Sequence, residues 1–344
     1  MEIIQQEFGR IGEQAVTSFT LKNENGIEIT AINYGCIITK IITPDQNGNF
    51  ENIVIGHDSL KDYVEDPVFL GAVVGRVGGR IRGGAFELDG KVYTLPQNIG
   101  RNHLHGGLQG FNKVVWQADI LVDGVRFTYL SKDGEEGYPG SLHSSVTYTL
   151  DDHDQLKIRY EARTDKKTVV TLTNHSYFNL SGSLKRDVLQ HILTIKSDEF
   201  LELDEESIPT GRMLSVDHTP FDLRQGASID IGAKASHPQI VLAGEGYDHP
   251  FVLNTNHDRE IRLEDPESGR VMTVETDEPA VVVYSGNSLD GAGPFRGTPG
   301  AKHLGICLET QAFPDAVHHP EFPSVVLTPD KKYSSVTKYT FGIQ

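Results

Sequence analysis

Along this chain apolar residues alternate with polar ones in short runs, and glycine, asparagine and aspartate separate the runs where helical stretches could have stood. A period of two sends successive side chains to opposite faces of an extended strand, so each run buries one face and wets the other. AFELDGKVYTL (85–95) is the clearest local case: two runs meet at Asp89-Gly90, a pair that readily supplies the positive φ of a tight hairpin turn. SVTYTLDDHDQLKIRYEA (145–162) repeats the pattern, with Val146, Tyr148 and Leu150, then Leu156, Ile158 and Tyr160, alternating around a polar turn. EIRLEDPESGRVMTVET (260–276) turns through Asp265–Gly269. Helical character is confined to a short turn near DSLKDYVED (58–66), opened by Ser59 as its cap. The pattern predicts an all-β chain, a large antiparallel sandwich or barrel-like stack of sheets. With no repeat, low-complexity tract or linker, the chain reads as one domain over residues 1–344.

Charge narrows the partners. With 31 basic against 48 acidic residues the formal charge is −17, which argues against nucleic acid and against an anionic membrane surface, since both require a basic face. It also disfavours a phosphorylated substrate. The two cysteines, Cys36 and Cys307, make no disulfide framework and no metal-type C-x-x-C spacing. The first residues, MEIIQQEFGR, lack the basic region and apolar run of a signal peptide, and no apolar stretch reaches the length of a membrane span. A cytoplasmic protein is the expectation.

Candidate chemistry gathers in a few polar, turn-rich segments. In LGICLETQ (304–311) alternation sends Leu304, Ile306 and Leu308 one way and Cys307 and Glu309 the other, leaving one carboxylate at the end of an apolar strand. In VVTLTNHSYFNL, Thr171, Thr173, His175 and Tyr177 share a face opposite Val170, Leu172 and Phe178. His175 there reads either as a proton-transfer group or as a histidine that hydrogen-bonds a neighbouring loop. His103-Leu104-His105 invites a metal reading, because H-x-H on a strand would put both imidazoles on one face. No nearby Glu and later His complete such a site, and Gly106-Gly107 breaks the strand at once, so no metal is expected. GRVGGRIRGG (75–84) lacks the G-K-[ST] ending of a phosphate loop and precedes a hairpin rather than a helix. It reads as a glycine turn with Arg76, Arg80 and Arg82 on the surface, or as a turn that lays an arginine beside a polyhydroxyl ligand. GEGYDHPF (244–251) offers Asp248 as a loop-borne acceptor, and Trp116 reads as core.

Taken in order, GRVGGRI, NHLHGG, FNKVVW, DGEEGYPG, NHSYFNL, GYDHPF, YSGN and CLETQAFPDAVHHP closely resemble the aldose 1-epimerase (galactose mutarotase) family, from about Asn33-Tyr34-Gly35 to the C-terminal strand. The resemblance implies a β-supersandwich, an isomerase that needs no cofactor, and exchange of the α and β anomers of free hexoses such as D-galactose and D-glucose. It implies Glu309 as base and His175 as acid, on opposite sides of the sugar, with Arg80, His105 and Asp248 binding it. Tyr177 becomes a packing candidate under the ring, and His103 either shares the pocket or shapes the loop. Two readings of other classes stay open on the same fold. One is a non-catalytic carbohydrate-binding or sensor protein; the other is a hexose-phosphate 1-epimerase, which should gather arginines. A glycosidase would need a second carboxylate in a setting like that of Glu309. No segment singles out one hexose or signals an assembly state.

Two departures from the family pattern bear on affinity. Many relatives read GRVxNR, whereas Gly79 stands before Arg80 here, and Val282 in AVVVYSGN occupies a position that is polar in some relatives. The expectation is two missing polar contacts, weak ground-state binding and loose discrimination between hexoses, with Gly79→Asn lowering KM.

Overall fold

The structure is a computed structural model that describes residues 1–253 and 261–344. Among them, nine strands form one antiparallel sheet in the spatial order Gln117–Ile120, Gly124–Ser131, Leu142–Leu150, Gln155–Thr164, Tyr333–Ile343, Arg270–Thr276, Ile261–Glu264, Ile192–Ile195, Ala227–Ser228. Against it lies a six-stranded sheet ordered Tyr177–Phe178, Ile306–Gln311, Ala280–Tyr284, Asp248–Val252, Glu199–Leu203, Pro209–Ser215. The N-terminal strands Glu2–Ile11 through Phe50–Asn52 add a five-stranded meander. This is the predicted all-β architecture.

The predicted hairpins form where the alternation places them. Ala85–Leu88 pairs with Lys91–Thr94, and Asp89 (φ 53°) and Gly90 (φ 75°) both adopt the left-handed conformation that such a turn requires. Leu142–Leu150 pairs with Gln155–Thr164, burying Val146, Tyr148, Leu150, Leu156, Ile158 and Tyr160. Ile261–Glu264 pairs with Arg270–Thr276; Glu260, the first residue of that predicted segment, lies outside the described residues. The short helix is Leu60–Glu65, with the Ser59 hydroxyl accepting from the Asp62 N–H. Trp116 is buried, as expected, and its indole N–H donates to the Phe111 carbonyl.

One core joins the sheets. Phe127, Val146, Tyr160, Met272 and Phe341 from the nine-stranded sheet pack with Phe178, Ile306, Leu308, Val281, Val283 and Phe251 from the six-stranded one. The opposite face of the six-stranded sheet is therefore free for other work. Its side chains follow from register: Glu309 stands opposite Val282, which stands opposite Pro250, and Cys307 lies between Tyr177 and Tyr284, with Asp248 next beyond. No helix among the described residues is long and apolar enough to cross a membrane.

The glycine-rich segment 75–84 is anchored differently from the surface turn the sequence allows. Arg76 is only 2% exposed. Its guanidinium donates to the carbonyls of Ser131, Lys132 and Pro139 and to the Ser131 hydroxyl, pinning the turn to the strand Gly124–Ser131. The bonds to Ser131 and Pro139 are buried, so removal of the donors would leave three buried acceptors short of a partner. Arg76→Met is expected to destabilise the fold by at least about 3 kcal/mol, at roughly 1–3 kcal/mol for each buried acceptor left unpaired. Urea denaturation of the two proteins measures it; a difference under about 1 kcal/mol would show that the anchor is dispensable.

Candidate active site

Glu309 sits in the strand Ile306–Gln311, all of whose residues are buried. Ile306 and Leu308 point to the main core, while Cys307 belongs to a second apolar cluster on the other face. Leu304 does not share the core face, contrary to strict alternation. It precedes the strand and clusters with Cys307, because it closes the turn before the strand, its N–H donating to the Ala301 carbonyl. Glu309 is 4% exposed and opens onto a cavity of about 200 Å³.

His175 reaches the same cavity from between two short strands, Thr173–Asn174 and Tyr177–Phe178. Its backbone N–H donates to the Ala72 carbonyl and its own carbonyl accepts from the Gly71 N–H, which fixes the position of the residue. Nδ1 lies 3.5 Å from the Cys307 sulfur, so Nε2 faces the cavity, 3.7 Å from Glu309 Oε1. The two groups are neighbours rather than the opposite walls of a pocket.

His105 arrives by a tight loop. The strand His103–Leu104 pairs with Arg80–Ile81, then His105 takes φ 50° and Gly106 φ 86°. A Cβ on Gly106 would lie 1.7 Å from the Gly75 carbonyl oxygen, so only glycine lets the loop close this far. His105 Nδ1 accepts from the Gly79 N–H at 3.1 Å, which leaves Nε2 for the cavity. His103 is turned away and fully buried, its ring nitrogens bonded to the Pro96 carbonyl and the Tyr138 hydroxyl, both at 2.7 Å. The H-x-H pair thus splits between two faces, because the strand ends at Leu104. Arg80 and Asp248 both line the cavity, Nη1 3.8 Å from Oδ2, whereas Arg82 points elsewhere and pairs with Asp204 at 2.8 Å.

Burial dominates the electrostatics. It raises the Glu309 carboxyl to about 8, with the Asp248 charge adding to the rise and Arg80 opposing it. It lowers His175 to about 4. His105 is pushed well below the ordinary imidazole range by burial first, then by His175 and Arg80. Asp248 rises to about 6 through burial, against the pull of Arg80. Between about pH 4 and pH 8 the Glu309–His175 pair therefore carries one proton, and in the empty pocket it resides on Glu309. Among the described residues His105, His175 and Glu309 are also the group best placed to grip a cation, with ligand atoms within 4.8 Å of one another.

All five residues implied by the resemblance, Glu309, His175, Arg80, His105 and Asp248, thus line one cavity. Sequence reasoning missed Phe69, whose ring lies 4.8 Å from His105 and 5.8 Å from His175, because nothing in DPVFLG (66–71) carries a chemical signal. It also left Gln311 without a role, although that side chain lines the cavity two residues beyond Glu309. Tyr177 lines the wall, its hydroxyl donating to the Val68 carbonyl. Asp248 is a second carboxylate in the pocket beside Glu309, where the resemblance puts it.

Comparison with known proteins places this arrangement in context. The family model described as aldose 1-epimerase matches residues 17–340. Galactose mutarotase of Bos taurus is 42% identical over 338 residues, 97% of this chain and 96% of its own length. Aldose 1-epimerase of Escherichia coli is 37% identical, covering 94% of both chains. The crystal structure of galactose 1-epimerase from Lactobacillus acidophilus superposes with a TM-score of 0.88 at 30% identity, covering 99% of each chain.

The raised Glu309 pKa has a thermodynamic consequence. The folded state keeps a proton that the unfolded chain loses above the ordinary carboxyl value of 4.5, so this stabilisation is full below that value and lost as pH rises through about 8. Glu309→Gln carries no such proton. Its melting temperature relative to wild type should climb between pH 5 and pH 9 in a thermal-denaturation series, and a difference independent of pH would refute the raised value.

Proposed function

Because the chain belongs to the aldose 1-epimerase family and is an isomerase of that type, we propose that Glu309 and His175 are its proton-transfer pair and that its substrates are free hexoses such as D-galactose and D-glucose. The observation that carries the assignment is their adjacency, Nε2 3.7 Å from Oε1, in a buried pocket. Anomer exchange must remove a proton from the C1 hydroxyl and deliver one to the ring oxygen. Both oxygens are bonded to C1, so two catalytic groups side by side serve them better than two groups facing across a ring. Ionised Glu309 takes the hydroxyl proton as the C1 carbonyl forms. The C1–O5 bond breaks, and protonated His175 gives its proton to O5. Rotation about C1–C2 presents the other aldehyde face, and the same transfers run backwards.

One proton on the pair suffices throughout. Before ring opening it is on His175, and afterwards it is on Glu309, the placement that the empty pocket also favours. A bound sugar selects the other placement, since its C1 hydroxyl donates to a carboxylate and its ring oxygen accepts from an imidazolium. Arg80, Asp248 and His105 bind the remaining oxygens in this reading. Arg80 is the one Arg or Lys among the described residues that line the cavity, and it is already opposed by Asp248, which argues against a phosphorylated hexose. We take the chain as one functional unit over residues 1–344, cytoplasmic, and needing no metal or other cofactor.

Purified protein should speed the decay of optical rotation of fresh α-D-galactose, whereas a decay equal to that of buffer would favour a sugar sensor on the same fold. The kcat/KM profile should be a plateau bounded by losses below about pH 4, where the pair gains a second proton, and above about pH 8, where it loses its only one. Absence of the alkaline limb would exclude Glu309 as the group that holds the proton.

Glu309→Gln and His175→Asn should each lower kcat by ~10²–10⁴ with KM little changed. Activity should survive exhaustive chelation. Loss on chelation with recovery on one divalent ion would reassign His105, His175 and Glu309 as ligands.

A further inference from the structure

We infer that Gln311 is a sugar-binding residue of this site, its amide exchanging hydrogen bonds with a ring hydroxyl remote from the reacting C1. The inference rests on the mutarotase reading and assigns a polar contact to it. Gln311 is fully buried, and neither Nε2 nor Oε1 has a hydrogen-bond partner among the described residues. A buried amide left unpaired at both ends is costly, and native folds keep such groups where a ligand or water completes them. This one lines the cavity that holds Glu309, His175, Arg80 and Asp248. In the same lining, Nε of Arg80 is likewise buried and without a partner among the described residues. An amide supplies one acceptor and two N–H donors, which suits a polyol, whose hydroxyls both give and accept.

The neighbouring glycines pack against the amide where it meets the cavity lining. A Cβ on Gly78 would lie 2.8 Å from Gln311 Oε1, and one on Gly79 would lie 3.2 Å from Nε2 and 3.0 Å from Pro314 Cβ. A side chain at position 79 would stand over the amide. Gly79, at φ 79°, has no side chain to crowd the amide. The missing contact expected from Gly79 is supplied from position 311. Across the sheet no competing polar group stands opposite: Gln311 pairs with Ala280 and Glu309 with Val282. Gly79→Asn would then displace the amide instead of adding to it, reversing the expectation that it lowers KM.

The test is Gln311→Met, which keeps chain length and removes both polar ends. KM for D-galactose and D-glucose should rise roughly two- to twelvefold, the worth of one hydrogen bond, with kcat within about twofold. Among deoxyhexoses lacking a single hydroxyl, one should lose a similar factor with wild type and nothing further with the variant, the non-additivity of a direct contact. Unchanged KM, or equal losses with every deoxy sugar, would overturn the assignment. If the Met variant fails to fold, Gln311→Asn carries the test, since it keeps the polarity and withdraws the amide by one methylene; its KM should also rise, and an unchanged KM would be as damaging. Calorimetry of D-galactose on the same proteins reads the contact without turnover. Wild type that binds but does not turn over would sink the mutarotase reading, while weaker binding by the variant would still uphold Gln311.

Discussion

Glu309 and Val282 face each other across a strand pair whose reverse side carries Ile306, Leu308, Val281 and Val283 into the main core. That two-sidedness constrains the rest. A sheet with a core on one face holds its other face rigidly, and an ionisable side chain on that face cannot retreat to solvent. Burial then sets the chemistry, because a carboxyl in dry surroundings keeps its proton while a buried imidazole sheds one. The separation of their acidity constants follows from position in the sandwich more than from any single charged neighbour.

The loops around this sheet do the complementary work of bringing side chains to the open face. Gly106 allows the approach to the Gly75 carbonyl that turns His105 inward, and Arg76 holds the same turn from behind through three backbone carbonyls. One glycine-rich segment thus carries Gly79 and Arg80 to the pocket on one side and a buried guanidinium into the fold on the other. The unsatisfied atoms of Gln311 and Arg80 are what this packing leaves for a ligand.

Stability and function oppose each other at Glu309. Burial disfavours the ionised form that the reaction needs, so at neutral pH the carboxyl holds a proton it would lose in water, and the cost is tolerated because the core face of the strand is extensive. Such strain concentrates where a site must be pre-organised. The same trade-off explains why two carboxylates, Glu309 and Asp248, share one small cavity, with Arg80 placed to offset them.

How much of this was legible beforehand depends on the range over which each feature is encoded. Turn pairs such as Asp89-Gly90 and the alternation of Val146, Tyr148 and Leu150 are local, and they determined the hairpins and the all-β class. The motifs NHSYFNL and CLETQ carried His175 and Glu309 because their residue types stand out against an apolar strand. Alternation failed at Leu304, which still belongs to the turn before the strand, and at His103, where the strand stops one residue short of His105. Arg76 and Gln311 were misjudged or passed over because burial and unmet hydrogen bonds are properties of segments distant in sequence that meet only in space. The sequence by itself therefore determined the strands, their turns and the reacting residue types. Only the tertiary structure decided which side chains are dry, which lie adjacent and which remain unpaired, since each depends on contacts between strands far apart in the chain.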